Sequence, residues 1–231
     1  MMALVNFRFQ IASALFMEMP TVAAMDATLP MPMDTDLDCG DTRMTRTMRM
    51  IFRDTHNNLR GSLARGQMEK NGDWGIAPPA TSMYKMKYDC EAEAYAMSHA
   101  MSCDKMLWTP EMRPGYKENI HVLNTVRTTP EGAAQHALAM WWSQLANYGI
   151  RTDMMYTQEI HAMTTDKVSK FTKMAWWNNQ KVGCAVQNCG TFYFVVCMYR
   201  PGGNDIGNRV YKVGAVCSEC PGKCMDGLCW W

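Results

Sequence analysis

Apolar side chains recur at intervals of three and four residues along three segments, which is typical of amphipathic helices. The three predicted helices cover residues 43–67, 89–103 and 129–149. Gly66 is predicted to end the first helix, and Asp89 is a good N-cap for the second. Thr129-Pro130 opens the third in ideal form, a cap followed by proline in the first turn. Residues 158–163 and 168–176 are predicted as short helices that lead into the strands.

Two short runs rich in Val, Cys and aromatic residues, 181–187 and 192–198, lie either side of Asn188-Cys189-Gly190-Thr191. Beta-favouring residues around an Asn/Gly connection predict a β-hairpin. Residues 201–204, with the sequence PGGN, close the second strand with a turn. Upstream, residues 83–88 alternate and predict a short strand or bridge.

Composition narrows the class of protein without identifying it. The 231 residues suffice for one sizeable domain with extensions, and 48% of them are hydrophobic. The chain has 23 basic and 22 acidic residues and no long basic run, which argues against a nucleic-acid partner or an anionic membrane surface. Its 24 methionines are interpreted as core filler, with a Met-rich binding surface as the alternative.

Residues 1–24 resemble a secretory signal peptide. Arg8 gives a positive start, residues 11–17 form a short apolar core, and Val22-Ala23-Ala24 offers small residues for cleavage. The apolar run is too short to span a bilayer. We therefore expect a soluble, secreted, extracellular protein without a transmembrane segment.

Ten cysteines support export, because an even and high count is typical of the oxidising secretory pathway. We predict five disulfides among Cys39, Cys90, Cys103, Cys184, Cys189, Cys197, Cys217, Cys220, Cys224 and Cys229. The tail, residues 213–231, is too short to bury a core and must be held by disulfides. Spacing does not fix its pairing; our prediction is Cys217–Cys224 with Cys220–Cys229, and a zinc knuckle is the disfavoured alternative.

Four short motifs occur in order along the chain. They are HNxxR at residues 56–60, a variant of GENI within residues 113–121, FTxxxW at 171–176, and FVVCMYRPGGN at 194–204. Together they resemble the signatures of the CAP superfamily, also called SCP/TAPS. Two departures from the family pattern are Lys117 in place of Gly and Met198 in place of a polar residue. The motif residues predicted to be structural are His56, Asn57, Arg60, Phe171, Thr172, Trp176, Tyr199, Pro201, Gly203 and Asn204.

The resemblance covers about residues 39–229 and is strongest to single-domain nematode activation-associated secreted proteins, or venom-allergen-like proteins. It implies an α+β fold, a three-layer α-β-α sandwich in which helices flank a three-stranded antiparallel sheet. The predicted organisation is a signal peptide (1–24), an N-terminal extension (25–38), a CAP domain (39–212) and a cysteine-rich, hinge-like tail (213–231).

The resemblance also implies a cleft with two His and two Glu residues, a set that could bind a divalent metal or transfer protons. Here only Glu118 survives. Gln144 replaces the second Glu, Lys170 replaces one His, and no histidine lies between Ala100 and Ile120, where the other is expected.

These replacements argue against a metal, because Gln144 cannot ionise and Lys170 places a cation where the metal would lie. We predict no cofactor and no catalytic residue, and we hypothesise that Lys170 pairs with Glu118. His121, His136 and His161 could in principle build a new site, although lone histidines are more often surface or core residues.

Our hypotheses about function follow from the loss of three of the four expected cleft residues. The first is a secreted, non-enzymatic protein of host–parasite interaction or immune modulation, a monomer or homodimer that binds a host protein or a small lipid or sterol. The alternatives are a metal-dependent hydrolase and a disulfide-held scaffold that self-associates. The chain lacks the GxSxG, HExxH and phosphate-loop motifs of several enzyme classes.

Overall fold

The computed structural model describes residues 37–164 and 167–231. The helices are α1 (Arg46–Arg65), α2 (Cys90–Ser102), α3 (Pro130–Trp142), α4 (Gln144–Tyr148), α5 (Gln158–Ala162) and α6 (Ser169–Ala175), with 3₁₀ turns at Gly72–Trp74 and Pro110–Met112. The predicted helix over residues 129–149 is therefore two helices. The predicted signal peptide and residues 25–36 of the predicted extension lie outside the described residues.

The sheet has four strands in the order β1-β3-β4-β2. The strands are β1 (Lys87–Tyr88), β2 (Lys117–Leu123), β3 (Lys181–Asn188) and β4 (Tyr193–Arg200). The hairpin β3–β4 is confirmed. The expected three-stranded antiparallel sheet is instead a mixed sheet of four strands, because β1 pairs with β3 in parallel.

Helices cover both faces of this sheet. Helix α2 packs on β3 and β4, whereas α1, α3 and α6 pack on one another and on the sheet. The middle of β3 and all of β4 except its last residue are buried, as expected for central strands covered on both sides. Gly183 in β3 permits the close approach of α2, since a Cβ atom there would lie 2.2 Å from the backbone nitrogen of Glu93. The predicted α+β sandwich is confirmed.

The helix ends follow local sequence signals. The side chain of Thr45 accepts a hydrogen bond from the backbone of Met48 at the start of α1, and Gly66 ends α1 in the left-handed conformation. Asp89 caps α2 and Thr129 caps α3 in the same way. These caps place α1 and α2, which carry several of the residues considered below.

All ten cysteines form disulfides. The pairs are Cys39–Cys90, Cys103–Cys189, Cys184–Cys197, Cys217–Cys224 and Cys220–Cys229. The last two confirm the predicted pairing of the tail. They also account for the cluster of Cys217, Cys220 and Cys224 without a zinc ion, since none of these sulfurs is a free thiol.

The tail forms a small antiparallel hairpin, β5 (Cys224–Met225) with β6 (Leu228–Cys229). Its backbone pairs with the segment before β1, where Lys85 donates to the carbonyl oxygen of Cys229 at 2.9 Å. The ammonium of Lys85 lies 3.8 Å from the ring centroid of Trp230, a cation–π contact. No helix in the described ranges has the length and apolar character needed to cross a bilayer.

Candidate functional site

The HNxxR motif lies on the buried face of α1. His56 is fully buried; its Nδ1 lies 2.7 Å from the carbonyl oxygen of Phe52, and its Nε2 lies 2.9 Å from the hydroxyl of Tyr199. Burial lowers the pKa of His56 to about 4, so the imidazole is neutral at physiological pH. The amide of Asn57 bonds both ways with the backbone of Met86, donating at 2.9 Å and accepting at 2.8 Å.

Arg60 completes the motif and has no exposed surface. Its guanidinium donates to five backbone carbonyls, those of Tyr84, Met174, Trp176, Trp177 and Asn179. Burial lowers the pKa of Arg60 to about 9. These contacts connect α1 with the chain that leaves α6.

The FTxxxW and RPGGN motifs interlock. Thr172 donates to the side-chain oxygen of Asn204 at 2.7 Å, and the amide of Asn204 donates to the carbonyl oxygen of Ser169 at 2.9 Å. Gly203 has φ 74°, and a Cβ atom there would lie 2.3 Å from the ring of Trp176. Three further motif residues have contacts of their own. Phe171 makes an edge contact with Trp142, and the hydroxyl of Tyr199 bonds to His56. A cis peptide bond precedes Pro201.

Glu118 is buried in β2, and its carboxylate is enclosed by donors. His99 Nδ1 lies 2.7 Å from one oxygen, while the backbone N–H of Trp108 and the Nε of Arg113, at 3.3 Å, contact the other. Burial alone would lower the pKa of His99, but Glu118 and Asp104 raise it above its ordinary value. This partner lies one residue before the segment between Ala100 and Ile120 in which a histidine was expected, because His99 belongs to α2.

The side chains of Gln144 and Lys170 also form hydrogen bonds with backbone atoms of the protein. The side-chain oxygen of Gln144 accepts hydrogen bonds from the backbone nitrogens of Lys170 and Phe171, at 2.9 and 3.0 Å. The ammonium of Lys170 donates to the carbonyl oxygen of Ile120 at 2.9 Å. The predicted Lys170–Glu118 pair is therefore wrong. Lys170 donates a hydrogen bond to a backbone carbonyl, and the carboxylate of Glu118 is paired with His99.

A divalent metal does not fit these three side chains. Each oxygen of Glu118 already accepts from a protein donor, and the oxygen of Gln144 accepts two. Burial and the nearby Lys167 lower the pKa of Lys170, yet its nitrogen is directed to a carbonyl. A metal would have to displace several protein hydrogen bonds in order to bind here.

The structure brings two of the other three histidines together. Nε2 of His121 on β2 lies 2.9 Å from Nδ1 of His136 on α3. Burial and then His136 lower the pKa of His121 to about 4. His161 lies on α5, where its Nδ1 is 3.4 Å from the hydroxyl of Tyr156. The three do not form a common site.

A cavity of about 480 Å³, called the cleft from here on, opens between the loop before β2, helices α5 and α6, and the RPGGN motif. Sequence neighbours of Glu118 and Lys170 line it, namely Lys117 and Ser169. Its basic lining residues are Arg113, Lys117, Lys167 and Lys173. Arg113, Lys167 and Lys173 were not predicted as site residues: Arg113 and Lys173 lie within motif segments but not at the motifs' characteristic positions, and Lys167 lies outside the motifs.

The mixed sheet between helices, the interlocked motifs and the disulfides define a CAP-type fold. The family described as "CAP: Cysteine-rich secretory protein family" matches residues 53–199, and the chain belongs to it.

Its relatives include secreted proteins of parasitic nematodes. The chain is 38% identical over 201 residues to Ancylostoma secreted protein of Ancylostoma caninum, covering 85% of this chain and 47% of the relative. The chain thus spans about half the length of that protein. The crystal structure of NaASP2 with Zn²⁺ has a TM-score of 0.78 at 36% identity, covering 83% of this chain and 99% of the other. BmVAL-1 has a TM-score of 0.77 at 28% identity, covering 84% and 98% respectively.

Proposed function

We propose that this chain is a secreted, non-enzymatic CAP protein that acts in host–parasite interaction or immune modulation by binding a protein or a small lipid. One observation carries the proposal: Glu118, Gln144 and Lys170 are all engaged in hydrogen bonds within the protein. General acid–base catalysis needs a group that can reach the substrate's proton, and these groups are directed to protein atoms.

Kinship with secreted nematode proteins supports the setting of the proposal. Five disulfides fit an extracellular location, because such bonds persist under oxidising conditions. One relative was crystallised with Zn²⁺. In this chain Lys170 stands at the position where the family resemblance places a neutral histidine, so we expect no comparable zinc affinity.

The test uses the purified, disulfide-intact protein. Native mass spectrometry after incubation with equimolar Zn²⁺ and desalting should show the bare chain, and generic peptide and ester substrates should remain uncleaved with or without chelator. Hydrolysis that a chelator abolishes would overturn the proposal in favour of a metal-dependent hydrolase. A retained zinc ion would overturn the argument from Gln144 and Lys170 and reopen the enzyme alternative.

A further inference from the structure

Two histidines from different elements face each other near the surface of the domain. Nε2 of His121 on β2 lies 2.9 Å from Nδ1 of His136 on α3, and the ring centroids are 4.9 Å apart with 40° between the ring planes. His136 is exposed and His121 is half-buried, so the pair is accessible from solution. The proposed binding role does not account for these two side chains.

The pair is separate from Glu118 and from the cleft. Successive side chains of a strand alternate between the two faces of a sheet, so Glu118 and His121, three residues apart on β2, point to opposite faces. Glu118 contacts His99 on α2, whereas His121 contacts α3. Neither histidine of the pair lines the cleft.

A strand and a helix hold the two rings. Strand β2 pairs with β4 along its whole length, with His121 opposite Val195. The indole nitrogen of Trp141 on α3 donates to the carbonyl oxygen of Ile120 at 3.2 Å, which fixes the helix against the strand beside His121. A site built on regular elements keeps its geometry better than a site built on loops.

The two facing nitrogens can coordinate a metal ion in place of the proton between them. A neutral imidazole has one N–H group and one unprotonated nitrogen, so without a metal one facing nitrogen donates to the other. The outer nitrogens, Nδ1 of His121 and Nε2 of His136, have no hydrogen-bond partner in the described part of the chain. Each ring can therefore carry its proton on the outer nitrogen and leave the inner one free to bind a metal.

The distance between the facing nitrogens favours one geometry of metal ion. With metal–nitrogen bonds of about 2.0–2.1 Å, two nitrogens in neighbouring positions of a square-planar ion lie about 2.9 Å apart, against about 3.3 Å in a tetrahedral ion. The observed 2.9 Å matches the square-planar arrangement that Cu²⁺ and Ni²⁺ adopt. Of these two ions, Cu²⁺ binds nitrogen ligands more tightly, and it also exceeds Zn²⁺.

The surroundings limit the affinity without blocking the site. The ammonium of Lys170 donates to the carbonyl oxygen of Ile120, next to His121, so one positive charge lies near the pair. That ammonium is directed to the carbonyl and not between the imidazoles. Among the described residues, no carboxylate lies close enough to join the pair as a third ligand. Two neutral ligands near a cation indicate a dissociation constant on the order of micromolar.

We propose that His121 and His136 form a copper(II) site, with Nε2 of His121 and Nδ1 of His136 in neighbouring positions of the coordination plane and water in the other two. The inference goes beyond the proposed binding role and assigns a ligand to a different part of the surface.

Titration of the metal-free, disulfide-intact protein with Cu²⁺, followed by electron paramagnetic resonance, tests the site. One equivalent should bind with a dissociation constant on the order of micromolar, and the spectrum should show coupling to two imidazole nitrogens. In calorimetry, Zn²⁺ should bind at least about tenfold more weakly than Cu²⁺. Equal affinity for the two ions would overturn the square-planar assignment, and no copper binding below about 100 µM would refute the site.

Two variants locate the ion. His121→Gln and His136→Gln should each weaken copper binding by about tenfold or more, and each should reduce the coupling to one imidazole nitrogen. His161→Gln is the matched control, because His161 is exposed on α5 and contacts no other histidine, and it should bind copper as the wild type does. Substitution at the exposed His136 should leave the fold intact. Unchanged copper affinity in either variant of the pair would refute the inference.

The copper site and the non-enzymatic role fail in different ways. If copper does not bind while zinc uptake and hydrolysis are also absent, the copper site is wrong and the non-enzymatic role stands. Zinc that the wild type retains and His121→Gln loses belongs to the pair and leaves that role standing. Zinc that both proteins retain lies elsewhere and counts against that role, whatever copper does.

Discussion

Two groups of polar side chains in this protein belong to segments that contain family motifs. The two groups differ in how their charges are compensated by neighbouring residues. On α1, the guanidinium of Arg60 donates to five carbonyls, and His56 and Asn57 have partners for both polar ends of their side chains. In the cleft, Lys173 has one neutral partner and lies in a field dominated by other cations.

This difference separates side chains that stabilise the fold from side chains that are available to bind a ligand. A buried polar group with all its partners stabilises one conformation, and removal of such a group leaves orphaned donors or acceptors. A partly buried charge without a counter-ion lowers the stability of the folded protein. A ligand that supplies the opposite charge restores that stability. The following predictions test each side of this comparison.

The largest effect is expected for Arg60→Met. Loss of the guanidinium removes a donor from five carbonyls, of which those of Trp176 and Trp177 keep a backbone donor, and the free energy of unfolding should fall by about 3–5 kcal/mol. Urea denaturation with the disulfides intact measures this loss. Arg46→Met, at an exposed position of the same helix, should change stability by less than about 0.5 kcal/mol. A loss below about 1 kcal/mol for Arg60→Met would contradict the anchoring role.

The second effect depends on pH. Because the pKa of buried His56 is about 4 against an ordinary value of 6.5, the unfolded chain binds a proton between these values and the folded chain does not. Stability should therefore fall as the pH drops from 6.5 to 4, by about 3 kcal/mol in total from this residue. The measurement is the difference in unfolding free energy between wild type and His56→Gln across that range.

This difference isolates His56 from the other histidines. The lowered pKa of His121 acts in the same direction and the raised pKa of His99 in the opposite one, and both contributions cancel between wild type and variant. His56→Gln should show the shallower acid slope. Parallel slopes would show that His56 is not buried in its neutral form.

Asn57→Asp should cost about 2 kcal/mol, because a carboxylate oxygen would then face the carbonyl oxygen of Met86 and that carbonyl would lose its donor. Asn58→Asp, an exposed neighbour on the same helix, is the matched control and should be almost neutral. The midpoints of thermal unfolding compare the two variants directly. Similar midpoints would refute the role of the Asn57 amide.

Local signals in the sequence predicted the elements whose ends are locally determined. Asp89 and Thr129 cap helices as predicted, and the Asn/Gly connection joins the central hairpin. Strand β2 was not predicted, because its residues KENIHVL mix charged and apolar side chains at a sheet edge. Strand β1 has two residues, and nothing in so short a segment indicates that it pairs in parallel with β3.

The partners of Glu118, Gln144 and Lys170 were predicted less well than the fold, for a physical reason. The motifs located Glu118, Gln144 and Lys170, but two of these side chains bond to backbone atoms, which no residue pattern reveals. Glu118 bonds to His99, nineteen residues earlier and across a loop. Charge compensation depends on such distant partners, so sequence alone led to an incorrect ion pair.

The smallest effect is expected for Lys173→Met, and its sign is opposite to the others. The pKa of Lys173 is about 7 in the folded protein against 10.5 ordinarily, so between these values the unfolded state binds more protons and wild-type stability rises with pH. Below pH 7 the ammonium must be held in the cleft at a cost. Lys173→Met removes that cost and should stabilise the protein by about 1 kcal/mol at pH 6, a value reduced by solvent screening in the open cleft.

The pH dependence distinguishes relief of charge from a simple gain in packing. A packing gain from methionine would be constant with pH, whereas relief of the buried cation should shrink from pH 7 to pH 10 as the wild-type lysine loses its proton. Lys223→Met, at an exposed site, should give a flat difference. A flat difference for Lys173→Met as well would mean that Lys173 is not a strained cation, and it would refute the contrast between the motif on α1 and the cleft.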